Sequence, residues 1–280
     1  MTSTPAQNDV VVVTGAGGMG EAVARRLGSG CSIVLADVGD AQLTRVADAL
    51  TRDGYTTHPV RTDIAAAADV RALARTAADL GPIRCVVHTA GVSPVQATSQ
   101  QIVDVDVIGT ARVLDAFEPY VRPGTVAVCI ASMAGTMTQL DPHTLELLAT
   151  TPADELHALA VLDPNTMEPG VAYGVAKRAN HVRVESASIV WGRRGGRVVS
   201  ISPGIIATAM GQQELAGPYG GAMRAMIEMS ACRRLGTPDD IAAAVEFLVS
   251  PAASFITGTD LLVDGGVVAA VRHPTTDRGS

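Results

Sequence analysis

Lysine is almost missing from this chain. Of its 21 basic residues one, Lys177, is lysine and the rest are arginine, so the position that keeps an ammonium group stands out. Aromatic residues are scarce at 3%, which removes the stacking platforms that single-stranded nucleic acid needs. Basic residues are outnumbered 21 to 28, for a net charge of −7. With no basic stripe for a polyanion to lie against, nucleic acid is not an expected partner. No apolar run approaches the roughly 20 residues that cross a bilayer, so no membrane partner is expected either. Residues 1–9 are polar and lack the apolar stretch of a secretion signal, and the expected location is cytoplasmic. The four cysteines, Cys31, Cys85, Cys129 and Cys232, lie far apart. Three fall in apolar runs where a thiol behaves as a small hydrophobe, and all four read as reduced core residues. The six histidines are scattered without ligand spacing, so no metal site is expected.

What is present is a large apolar core. The 280 residues are 47% hydrophobic and 18% charged, which excludes disorder and is compatible with one domain spanning 1–280. Short Val- and Ile-rich runs recur at 10–13, 33–35, 83–87, 126–130, 198–201 and 261–263, with a weaker one at 58–60. They are continuous rather than alternating, as in strands covered on both faces. Helical patterns fill the gaps at 19–27, 41–50, 66–80, 102–117, 171–190 and 239–248. The spacing predicts an α/β fold: a Rossmann-like, doubly wound, parallel seven-stranded sheet with helices on both faces. Two stretches break the rhythm. Residues 136–169, punctuated by Pro142, Pro152, Pro164 and Pro169, read as a helical insertion after the fifth strand. Residues 207–238, with Met210, Met223, Met226 and Met229 among glycines, read either as ordinary helix packing or as a substrate lid. The tail from Arg272 onward reads as loose.

The first strand runs into Thr14-Gly15-Ala16-Gly17-Gly18-Met19-Gly20 and then a helical pattern. Gly15, Gly17 and Gly20 have the G-x-G-x-x-G spacing that turns tightly, admits a pyrophosphate and packs a helix closely. Asp37 ends the second strand, 22 residues after Gly15. A carboxylate there accepts hydrogen bonds from ribose hydroxyls and repels a 2′-phosphate, which favours NAD over NADP; a helix-capping or surface aspartate is the alternative. Asp63, after the third strand, reads either as an adenine contact or as an N-cap of the next helix. Tyr173 and Lys177 stand four apart in a helical pattern and so share a face. A cation beside a phenol favours the phenolate and draws its pKa from about 10 toward neutrality, as a general acid and base requires.

Together these motifs resemble the short-chain dehydrogenase/reductase family. The glycine loop from Thr14 is joined by Ala90-Gly91, by Ser132 in Ala131-Ser132-Met133-Ala134-Gly135, and by Tyr173-Gly174-Val175-Ala176-Lys177. Pro203-Gly204-Ile205-Ile206-Ala207-Thr208 and Val263-Asp264-Gly265-Gly266 complete the series. The resemblance implies that Tyr173 exchanges a proton with the substrate oxygen, that Ser132 hydrogen-bonds that oxygen, and that Lys177 holds the nicotinamide ribose and acidifies Tyr173. It implies coenzyme contacts from Gly15, Gly17, Gly18, Met19, Gly20, Asp37, Asp63, Ile64, Ala90, Gly91, Pro203, Gly204, Ile206 and Thr208. It also implies a homodimer or homotetramer acting on a small alcohol or ketone.

Three departures from the family pattern stand out. The glycine loop is one residue short. His88-Thr89 replaces an Asn-Asn pair, with the expected loss of an amide that ties neighbouring strands. Asp106 replaces an asparagine whose backbone carbonyl takes part in a proton relay to the lysine. An ionised Asp106 near Lys177 would raise the lysine pKa and partly cancel its influence on Tyr173. The insertion resembles one in the 3α-hydroxysteroid dehydrogenase/carbonyl reductase branch. It either covers the site, in keeping with a bulky apolar substrate such as a steroid or terpenoid, or builds subunit contacts. The expectation is an NAD-dependent oxidoreductase acting on a secondary alcohol or ketone; the alternative is a catalytically impaired, coenzyme-binding sensor or partner.

Overall fold

The computed structural model describes residues 9–273. Seven parallel strands form one sheet in the order β3-β2-β1-β4-β5-β6-β7. They are β1 (Val10–Thr14), β2 (Ser32–Asp37), β3 (Thr56–Arg61), β4 (Ile83–His88), β5 (Val126–Ile130), β6 (Arg197–Pro203) and β7 (Asp260–Val263). Each expected strand is found; β-branched residues with both faces buried suit the inner strands, whereas the edge strands β3 and β7 are only partly buried. The helices are α1 (Gly18–Leu27), α2 (Asp40–Arg52), α3 (Ala67–Leu80), α4 (Ser99–Ile102), α5 (Thr110–Phe117), α6 (Met133–Met137), α7 (Pro142–Thr150), α8 (Pro169–Gly192), α9 (Ala209–Ala216), α10 (Gly220–Met229), α11 (Pro238–Val249) and α12 (Val267–Arg272). Side chains of α1, α2 and α11 fill one face of the sheet, and those of α3, α5 and α8 fill the other. Cys31, Cys85 and Cys129 are buried free thiols, whereas Cys232 is exposed, against expectation.

The expected helix over 102–117 is interrupted. Between α4 and α5, Val103–Gly109 forms a π-helical turn, a local widening that frees backbone groups from the regular ladder. The insertion forms α7, capped by Asp141 on Thr144 N–H at 3.0 Å, followed by two 3₁₀ turns at Ala153–Ala158 and Ala160–Leu162. Its Leu148, Leu156 and Leu162 are buried against Val103, Val107 and Ala111 on one side and Ala172, Ala176 and Ala179 of α8 on the other. The insertion thus covers the outer face of α5 and α8 with residues of its own chain. Arg272 is held at α12 by a hydrogen bond to Thr136 O at 2.9 Å, so it is not loose; the rest of the tail, 274–280, lies outside the described residues. Among the described residues no helix is long and apolar enough to cross a membrane.

Candidate active site

In an open parallel sheet a ligand crevice forms at the carboxyl ends of the strands where the strand order reverses. Here that point lies between β1 and β4, and a cleft of about 920 Å³ opens there. One wall is the loop from β1 into α1. Gly15 has φ +87°, and a Cβ on it would stand 2.7 Å from Ala90 N; a Cβ on Gly20 would stand 1.8 Å from Gly15 O, while Gly17 faces open space. Only glycine leaves this cradle open. α1 begins after Gly17 with no side chain capping its first N–H groups, which leaves them to an anion such as a pyrophosphate. Gly18 and Met19 line the same wall. The shortened loop therefore still makes a phosphate-sized cradle.

Asp37 lies in the cleft at the end of β2. Its Oδ2 accepts Ala16 N–H at 2.7 Å and its Oδ1 accepts Gly39 N–H at 2.8 Å, which orients the carboxylate toward the glycine loop. No arginine or lysine lines the cleft among the described residues. Asp63 and Ile64 line it as well. Asp63 does not cap α3, whose N-cap is Ala66; its carboxylate accepts Ala65 N–H at 2.9 Å in a local turn. Ala90 and Gly91 lie beside the loop. Thr208 caps α9 through Gly211 N–H at 3.1 Å and, with Ala209 and Met210, borders the cleft next to Gly18.

Three positions fall elsewhere. Gly204 and Ile206 border a separate cavity of about 530 Å³ shared with Cys232 and Asp264, and Pro203 is buried at the end of β6. The reason is packing: Gly204 is drawn against Asp264 beyond β7, where a Cβ would meet Asp264 Cα at 2.7 Å. Conversely Val92 and Val105 line the cleft without having been singled out, since an apolar residue carries no motif to announce it.

The remaining candidates gather past Gly91. A Cβ there would stand 2.8 Å from Asp106 Oδ1 and 3.3 Å from Lys177 Nζ, so Gly91 stands between these groups and the cleft, whose lining includes none of Asp106, Ser132, Tyr173 and Lys177. Tyr173 and Lys177 share a face of α8, with the ammonium 5.3 Å from the ring centroid. Ser132 follows β5, caps α6 through Ala134 N–H at 3.1 Å and lies near enough to the phenol to favour its ionised form. Asp106, in the π-helical turn, is fully buried. Its Oδ1 accepts Val92 N–H at 3.0 Å; its Oδ2 makes no hydrogen bond and faces Lys177 Nζ at 3.6 Å.

The electrostatics follow from that pair. Burial pushes the Asp106 carboxyl up, against the pull of Lys177. Burial works to lower the Lys177 pKa, but Asp106, Tyr173 and Cys129 together more than reverse this and the ammonium is held above its ordinary range. The Tyr173 phenol is pushed up, first by burial and then by Asp106, while Lys177 and the Ser132 hydroxyl pull the other way. In the protein alone Tyr173 therefore stands above its ordinary range, because burial, with Asp106 behind it, outweighs the pull of Lys177. The expected loss of a strand tie at 88–89 is absent. Thr89 Oγ1 donates to Thr14 O at 2.8 Å, and His88 Nδ1 meets Thr14 Oγ1 at 2.7 Å, so hydroxyl and imidazole replace the missing amide.

A family model described as short chain dehydrogenase matches residues 9–141, and one described as Enoyl-(Acyl carrier protein) reductase matches residues 159–268. The Short-chain dehydrogenase/reductase bsc3 of Alternaria brassicicola is 37% identical over 268 residues, 95% of this chain and 98% of that one. This chain belongs to the short-chain dehydrogenase/reductase family. The 3-alpha-hydroxysteroid dehydrogenase/carbonyl reductase of Comamonas testosteroni is 32% identical, over 94% of this chain and 98% of that one. Among solved structures, the 3-alpha-hydroxysteroid dehydrogenase from Pseudomonas sp. B-0831 complexed with NADH superposes with a TM-score of 0.77 at 26% identity, covering 95% of this chain and 100% of that one. The stretch between the two matched segments lies inside the insertion. As a short-chain dehydrogenase/reductase the protein is an oxidoreductase that uses a nicotinamide coenzyme and acts on small alcohol- or ketone-type molecules.

Proposed function

We propose that this chain is an NAD(H)-dependent oxidoreductase interconverting a secondary alcohol and a ketone, with Tyr173 as general acid and base. The observation that carries this reading is the pairing of Tyr173 with Lys177 on one face of α8, immediately behind Gly91, which lines the same cleft as Asp37. The uncapped start of α1 beside Gly15, Gly17, Gly18, Met19 and Gly20 suits the pyrophosphate. Asp37 suits unmodified ribose hydroxyls and opposes a 2′-phosphate, which supports NAD rather than NADP. Asp63 and Ile64 are assigned to the adenine, and Ala90, Gly91 and Thr208 to the nicotinamide half. When bound, the coenzyme supplies or takes up the hydride.

The chain's own work is proton handling. In reduction the Tyr173 hydroxyl gives its proton to the carbonyl oxygen, which Ser132 also hydrogen-bonds; in oxidation the phenolate takes the alcohol proton. A phenol pushed above its ordinary range is protonated at neutral pH. Reduction then runs on its plateau, and oxidation on the rising limb of its pH profile.

The cover over the mouth is assigned to 207–238, where α9 and α10 carry Met210, Met223, Met226 and Met229. Thioether side chains adapt to irregular apolar shapes, and the similarity to a 3-alpha-hydroxysteroid dehydrogenase/carbonyl reductase supports a bulky apolar substrate of steroid or terpenoid size. A homodimer or homotetramer remains the expected assembly. The buried Lys177–Asp106 pair favours one second reading, a coenzyme-binding sensor with little turnover. A panel of secondary alcohols and ketones with NAD(H), run beside an NADH titration, separates the two. Tyr173→Phe is expected to lower turnover by at least about a hundredfold with NADH affinity retained. Tight NADH binding with no turnover on any substrate would favour the sensor, and absence of NADH binding would refute both.

A further inference from the structure

The buried contacts around His88 point beyond a strand tie. His88 is 2% exposed at the end of β4 and touches two hydroxyls: Thr14 Oγ1 at Nδ1, 2.7 Å, and Thr110 Oγ1 at Nε2, 3.1 Å. Thr110 Oγ1 in turn donates to the backbone carbonyl of Asp106 at 2.8 Å. That donation fixes the direction of the chain. With its proton given to Asp106 O, the Thr110 hydroxyl can only accept from His88 Nε2–H, and Nδ1, lacking a proton, accepts from Thr14. Thr14, Thr110 and Asp106 are each at most 1% exposed, so no solvent competes for these bonds.

The backbone of the turn departs from the regular helix at this point. In a regular helix the Thr110 N–H would bond to Asp106 O. At the end of the π-helical turn it bonds to Val107 O instead. Asp106 O accepts the Thr110 hydroxyl, and the same turn carries the carboxylate that faces Lys177 at 3.6 Å. Tying β1 to β4 does not require an imidazole, because Thr89 already does so through its N–H and hydroxyl to Thr14 O, at 2.9 and 2.8 Å.

We infer that His88 and Thr110 are positioning residues: together they lock the π-helical turn so that the Asp106 carboxylate is held against Lys177 and sets the charge felt by Tyr173. This rests on the reading of Tyr173 and Lys177 as the proton-handling pair. The charged and titratable groups acting on that pair are Asp106 from the turn, Glu214 from α9, Cys129 from β5, and His88 and His181. Of these, Asp106 is the one whose placement His88 controls through Thr110. Burial, and then Lys177, push the imidazole down to about 3, so it is neutral and keeps the Nε2–H tautomer throughout the working range.

The test compares His88→Asn, His88→Gln and Thr110→Val, each alone and combined with Asp106→Asn. Two quantities are read: the pH profile of alcohol oxidation, and ultraviolet titration of tyrosinate in the coenzyme-free protein, taken as the difference from Tyr173→Phe. Asparagine can reach Thr14 but not Thr110, whereas glutamine can present a donor where Nε2 stands. His88→Asn and Thr110→Val are expected to lower the Tyr173 ionisation by roughly 0.5 pH unit, the worth of a weakened contact, in the same direction as Asp106→Asn. They are expected to add nothing once Asp106 is already Asn, and His88→Gln is expected to restore the parent profile. NADH affinity stays within about threefold. If His88→Asn matches the parent in both readouts, or if the shifts add fully to that of Asp106→Asn, the inference is overturned. Should His88→Asn fail to fold, Thr110→Val, nearly the same shape, decides alone. Turnover that survives in Tyr173→Phe would instead overturn the proposed function.

Discussion

Replacing Asp106 with asparagine removes a buried negative charge while keeping an acceptor for Val92 N–H, and the structure sets the size of the effect. Asp106 Oδ2 is 3.6 Å from Lys177 Nζ, and that nitrogen is 5.3 Å from the centre of the Tyr173 ring. The carboxylate therefore lies no more than about 9 Å from the ring, where at an effective dielectric near 20 a unit charge acts with about 1.8 kcal/mol. That corresponds to a little over one pKa unit, at about 1.36 kcal/mol each. The sign is fixed: the carboxylate opposes formation of the phenolate, so its removal lowers the Tyr173 pKa. The rising limb of the oxidation profile is expected to move down by about 1 pH unit, raising oxidation near neutrality about tenfold, while the reduction plateau at lower pH is barely altered. The assay is kcat/KM for oxidation and reduction of one secondary alcohol and its ketone across pH, with NADH affinity and Tm measured on the same samples. An oxidation limb that stays in place, with coenzyme binding intact, would show that Asp106 does not govern Tyr173.

Other consequences can be checked separately. Asp37→Asn is expected to weaken NAD use about tenfold, the loss of one charged hydrogen bond, and to admit NADP, read as the ratio of kcat/KM for the two coenzymes; an unchanged ratio would free Asp37 of that role. Leu156 is fully buried in the insertion's contact with α5 and α8, so Leu156→Ala is expected to cost about 3 kcal/mol and to speed proteolysis within 136–169. His88 has a folded pKa pushed down to about 3 from 6.5. Below pH 6.5 the unfolded chain takes a proton that the folded chain refuses, so stability is full above that pH and falls as the pH drops. This group alone is expected to remove about 2 kcal/mol by pH 5, or several degrees of Tm, a slope that His88→Gln should flatten.

What could be read from sequence depended on how local the controlling interaction was. The inner strands were legible because Val10–Thr14 and its inner counterparts are near-continuous apolar runs, as strands buried on both faces are; the edge strand β3, Thr56–Arg61, is half exposed and gave the weaker signal. Tyr173 and Lys177 were legible because four residues of helix place them on one face whatever surrounds it, and the cleft followed from the glycine spacing between β1 and α1. That Gly204 and Ile206 would line a second cavity was not legible, because a Pro-Gly step does not say which way the chain turns; the contact with Asp264 decides that. The insertion's proline-rich pattern announced turns and short helices, but not that Leu148, Leu156 and Leu162 would cover α5 and α8.

The sequence by itself determined the doubly wound sheet, the glycine cradle and the tyrosine–lysine pair, since each follows from residues close together along the chain. The charge state of that pair was decided by the tertiary structure. Asp106 meets Lys177 across 71 positions of sequence, and His88 meets Thr110 and Thr14 from a different strand. Buried electrostatics depend on distance and on exclusion of water, and neither exists until the turn, the strands and α8 have packed together.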